Sequence, residues 1–129
     1  MKQLNEAGEK ILALKEAQDN MLGEMGTPKQ RHEVTQSNTK VALMLDFLQQ
    51  TDKVINKVRT EASYLMAVDK LTKLDTELDV FLPILKVNEK FPSLTKLDIR
   101  GDVEVIQWKY EAALSGFLNV LDEEITKFV

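Results

Sequence analysis

Between Pro28 and Pro83 the chain contains neither glycine nor proline. These two residues are the strongest interrupters of regular structure, so a stretch without them reads as continuous secondary structure. Its apolar residues recur at helical spacing: Val41, Met44, Leu45, Leu48, Ile55, Val58, Ala62 and Leu65. A single helix over the whole stretch would reach about 80 Å. A compact domain of this length has a radius of gyration of about 14 Å, so the stretch has to fold back. The register 41–48–55–62 calls for apolar residues at 69 and 72, where Asp69 and Thr72 stand, and the stripe moves to Val68, Leu71, Leu74, Leu78, Phe81 and Leu85. That shift predicts a turn near Thr60 to Tyr64, with Thr60 or Ser63 as cap. Pro83 in FLPILKV removes a helical hydrogen bond, at about 3 kcal/mol, and predicts a kink.

The flanks read as helices too. Leu4, Ile11, Gln18 and Met25 are spaced by seven, with Ala7, Leu14 and Met21 between them. This is a heptad seam with one polar member, Gln18. Leu12, Ala13, Ala17 and Leu22 widen it into the stripe of a bundle helix. Gly23 and Gly26 stop this helix, and Thr27-Pro28-Lys29-Gln30 starts the next as a capping box with proline at the first helical position. From Lys29 to Lys40 the only large apolar residue is Val34, so this segment either protrudes from the bundle or frays into a loop. After Pro92, the spacing of Leu94, Leu97 and Ile99 suggests a turn or 3₁₀ piece. In Arg100-Gly101-Asp102 the glycine reads as a stop and Asp102 as the N-cap of a last helix from Val103 to Lys127. Gly116, with Ala112 and Ser115, makes a small-residue patch that another helix can approach. The expected fold is a single all-α domain: an antiparallel bundle of about four helices over residues 3–25, 28–59, 63–89 and 103–127, with a kink at Pro83.

Composition narrows the function. The chain of 129 residues has no cysteine, which removes disulfides, cysteine zinc sites and thiol catalysis and fits a cytoplasmic location. A net charge of −4 has the wrong sign for phosphate neutralisation, so no nucleic-acid partner is expected. The longest uncharged run, Ala112 to Leu121, is half of the roughly 20 apolar residues a membrane span needs, and the first residues have no signal-peptide core. His32 is the sole histidine, so the paired Glu-x-x-His ligands of a bundle metal site cannot form. No phosphate loop, nucleophile elbow or zinc-protease motif occurs. We therefore expect no enzyme, no metal and no cofactor.

Glu89-Lys90-Phe91-Pro92-Ser93-Leu94, ahead of a last amphipathic helix carrying Tyr110, resembles the aromatic-Pro-x-Leu turn before the last helix of LemA-type helical proteins. The likeness covers about a third of the chain, and that family's long upstream helix and membrane anchor are not matched.

The leading expectation is a non-catalytic protein–protein interaction module (an adaptor, assembly chaperone or inhibitor) working through a helical face. Its candidate partner-binding residues are Trp108, Leu4, Ile11, Leu14, Gln18 and His32, with a homodimer through the 4–25 seam as the first form to consider. Two alternatives stand beside it. One is an apolar-ligand or lipid binder built on the methionines Met21, Met25, Met44 and Met66; the other is a phosphotransfer module using His32.

Overall fold

The computed structural model describes residues 2–23, 25–60, 64–92 and 99–129. Among them stand four helices and no strand: α1 (Lys2–Leu22), α2 (Pro28–Thr60), α3 (Tyr64–Ile84) and α4 (Ile99–Lys127). The protein is an all-α helical bundle.

Helix ends follow local chemistry. The Gly23 N–H donates to the Asp19 carbonyl at 2.9 Å with Gly23 at φ 52°, a left-handed cap that closes α1 three residues short of Met25. Met25 is 89% exposed and does not belong to the seam. The start of α2 is the expected capping box: Gln30 N–H donates to Thr27 Oγ1 at 3.1 Å, and Thr27 N–H donates to Gln30 Oε1 at 3.0 Å. Residues 29–40 neither loop out nor fray; they are the first turns of a 33-residue helix. α2 ends at Thr60 and α3 begins at Tyr64, so the expected turn falls at 61–63, outside the described residues.

α3 ends at Ile84 rather than near residue 89, with Pro83 in its last turn. Lys86, at φ 62°, donates its N–H to the Pro83 carbonyl at 3.0 Å, and Val87 N–H donates to the Leu82 carbonyl at 3.0 Å. The paired bonds form a Schellman cap that satisfies the terminal carbonyls, which is why the helix goes no further. α4 starts four residues earlier than expected, so Gly101 is not a stop and Asp102 not a cap. Arg100-Gly101-Asp102 lies inside the helix, and the Asp102 carboxylate meets the positive end of the helix dipole from the first turn. Leu94 and Leu97 lie outside the described residues.

The chain divides into two compact units, Met1–Asp46 with Phe117–Val129, and Phe47–Gly116. In the first, Ala7, Leu14, Val41, Met44, Phe117 and Leu121 are buried together with the polar Gln18, Ser37 and Glu124. Lys10 Nζ reaches Asp122 Oδ1 at 2.6 Å and links α1 to α4. In the second, Leu48, Ile55, Leu71, Leu78, Ile106 and Leu114 make the core, and Phe47 stacks on Phe81 at 4.6 Å between ring centres.

Within the second unit α2 runs antiparallel to its neighbours: Phe47 meets Phe81, Asp52 faces Tyr110, and Arg59 reaches Gln107 at 3.3 Å. α3 and α4 run side by side in the same direction, since Lys109 bonds Asp75 and Asp79 while Gly116 meets Leu85 and Val87. At Gly116 a Cβ would stand 2.8 Å from Val87 Cγ2 and 3.0 Å from Leu85 Cβ. The small residue thus admits the turn that follows α3, rather than the body of another helix.

Candidate partner-binding face around Trp108

Trp108, Lys109 and Tyr110 are successive residues of α4, so their side chains leave the helix about 100° apart. Lys109 points inward and is fully buried. Its Nζ donates to the Asp75 carboxylate and to Asp79 Oδ1, the latter at 2.7 Å. Asp75 and Asp79 are one turn apart on α3, the first mostly buried and the second half exposed. An ammonium enters a protein interior only when paired and hydrogen-bonded, and the two carboxylates supply both.

The sequence contains a signal for this pair that apolar periodicity overlooks. Lys109 falls on the buried stripe of α4 beside Ile106 and Ala113, and Asp75 falls on that of α3 beside Leu71 and Leu78. Opposite charges at core positions of two helices are each other's natural partners. The amine is enclosed and gives a substrate no access, so its part is to fix α3 against α4.

Tyr110, expected in the core, is buried with its hydroxyl toward Asp52 on α2. Burial first, and then the negative charge of Asp52, push its phenol well above the ordinary tyrosine range. α4 is thus held on one side by an ion pair, while the buried Tyr110 hydroxyl makes no hydrogen bond among the described residues. Trp108, two positions from both Ile106 and Tyr110, lies on the opposite side of the helix and is 50% exposed. On α3, Val80 and Ile84, one turn apart and two positions from the buried Leu78 and Leu82, are likewise exposed.

The other candidates are scattered. Leu14 and Gln18 are buried in the first unit, and Leu4 and Ile11 half-buried. The centre of the seam, Leu14 and Gln18, therefore belongs to the chain's own core. The Gln18 amide nitrogen is buried without a hydrogen-bond partner among the described residues.

His32 is exposed on α2. Next to it in sequence, Glu33, Gln36, Ser37 and Lys40 form a polar helix face that, with Glu124, Lys127 and Phe128, lines a cleft of about 520 Å³. This accounts for the missing apolar stripe: residues 33–40 face a polar space. Burial alone would raise the Glu124 carboxyl, but Lys127 Nζ at 2.7 Å, Lys40 and the Ser37 hydroxyl outweigh it and hold it below the ordinary value.

Of the methionines, Met44 is buried and Met21 half-buried in the first unit, Met25 is exposed, and the side chain of Met66 is outside the described residues. Among the described residues no cluster of three or more side chains could hold a metal ion, and no helix is long and apolar enough to cross a membrane. Comparison with protein-family models, with curated proteins and with solved structures finds no match.

Proposed function

We propose that the protein is a non-catalytic interaction module that binds another protein through a helical face of its second unit, with Trp108 as the anchor. The observation that carries this reading is a half-exposed tryptophan next to Lys109, which two carboxylates hold in place, and one residue before the buried Lys109–Tyr110 pair. Tryptophan is among the residues most enriched at binding hot spots. An anchor on a rigid helix loses little conformational freedom when a partner closes over it. Val80 and Ile84 add exposed apolar surface in the same unit. A cytoplasmic setting belongs to the same reading, in keeping with a chain without cysteine.

The test compares the parent protein with Trp108→Ala in affinity purification from its native host, followed by titration of the captured partner. Truncating a hot-spot tryptophan costs about 2 kcal/mol or more, a loss of roughly 30-fold in affinity, with circular dichroism unchanged. Equal affinity for parent and variant would overturn the assignment of the anchor.

A further inference from the structure

Lys53 and Lys57 lie one turn apart on α2, and α3 brings Lys70 and Lys73 to the facing wall of the same groove. Phe47, Val54 and Leu74 form apolar lining within a cleft of about 340 Å³. Among the described residues its one acidic lining residue is Glu77, which already faces Lys73 at 4.0 Å. In a protein of net charge −4, four lysines converge on one groove. Lys57 and Lys73 already have partners, so Lys53 and Lys70, on facing walls, carry the positive charge that favours an anion in the groove.

We propose that this groove binds an acidic amphipathic helix of a partner protein, its glutamates or aspartates meeting Lys53 and Lys70 and one or two apolar side chains entering between them. The proposal rests on the reading of the protein as an interaction module but uses a surface separate from Trp108. Three features select this occupant. The sign of the groove excludes a basic segment. The apolar lining gives a helical peptide something to bury besides charge, the helix-in-groove mode of recognition. The positive surface is one groove in a chain of net charge −4, whereas a nucleic-acid backbone needs an extended basic stripe.

A fluorescein-labelled helical peptide with leucines at i, i+4 flanked by glutamates, titrated by fluorescence anisotropy at low salt, tests this directly. The parent protein should bind it, with affinity falling as salt rises. Lys53→Glu/Lys70→Glu should weaken binding about tenfold or more, while the charge-matched Lys15→Glu/Lys29→Glu in the first unit changes it less than about twofold. Replacing the peptide's leucines by serine should also cost about tenfold or more.

No binding by the parent overturns the proposal, and so does equal loss in the two double variants, which would report bulk charge alone. Undiminished binding of the leucine-free peptide overturns it in favour of a simple polyanion site. Tighter binding of decanoate, or of an oligothymidylate, reassigns the groove to an anionic amphiphile or to single-stranded nucleic acid. Trp108→Ala should leave peptide affinity unchanged, so failure of the groove and failure of the tryptophan anchor are read separately.

Discussion

Replacing Lys109 by methionine keeps most of the side chain's volume and removes its charge. The two carboxylates then fare differently. Asp79, whose side chain is 48% exposed, turns to water, and its share of the pair is worth about 0–1 kcal/mol. Asp75, only 8% exposed, is left with a carboxylate that only its edge can hydrate. Removing one partner of a buried pair costs about 3–5 kcal/mol. Some hydration of Asp75 through its exposed edge places Lys109→Met at the lower end, about 3 kcal/mol. That is a large part of the roughly 5–15 kcal/mol that holds a domain of this size together. Adding Asp75→Leu removes the stranded charge, and the double variant should return to within about 1 kcal/mol of the parent or exceed it. Urea unfolding, followed by far-ultraviolet circular dichroism and by fluorescence of the single tryptophan, Trp108, measures both. A loss under about 1 kcal/mol for Lys109→Met, or a double variant no more stable than the single one, would refute the claim that this pair fixes α3 to α4.

Three further perturbations follow from the same geometry. Gly116→Ala gains about 1 kcal/mol of helix propensity, but its Cβ meets Val87 and Leu85 inside 3.1 Å; overpacking at about 1–3 kcal/mol prevails, and the midpoint of thermal unfolding should fall. Lys86→Gly relieves a left-handed residue strained by about 1–2 kcal/mol, offset in part by the freedom glycine gives the unfolded chain, so the thermal midpoint should rise by a few degrees. Glu124 is held below its ordinary value of 4.5, so its contribution is fully present above that pH and is lost as pH falls through the lower folded value. Urea unfolding at pH 6 and at pH 3 should therefore show a smaller acid loss for Glu124→Gln than for the parent; parallel losses would mean that Lys127, Lys40 and Ser37 do not hold the carboxylate ionised.

The helices and their breaks were legible because their signals are local. The register change at residues 69 and 72 located the boundary between α2 and α3, and Thr27 with Gln30 specified the cap of α2. The heptad count carried α1 on to Met25 because spacing does not register a left-handed cap, although Gly23 itself was in view. Lys86 gave no sign, since a lysine in the left-handed region is chosen by the turn around it and not by its own preference. Residues 29–40 lack an apolar stripe because the face they turn to the cleft is polar. Lys109 and its partner Asp75 lie 34 residues apart, so no local signal joins them. The common direction of α3 and α4 could not be read either, since a connection as long as residues 85–98 allows both. Of the proposed site, Trp108 was found for its chemistry; what holds it in place is non-local and was not.

The division of the chain into two units has a consequence for its synthesis. The second unit is continuous in sequence, whereas the first takes residues from both sides of it. On a ribosome adding about 5–20 residues per second, the segment from Phe117 follows Asp46 only after some 4–14 seconds. Over that interval α1 and the start of α2 wait with Ala7, Leu14 and Val41 lacking the α4 residues that complete their core, while the second unit has all its parts as soon as Gly116 emerges. The part that is translated first is therefore the last to close.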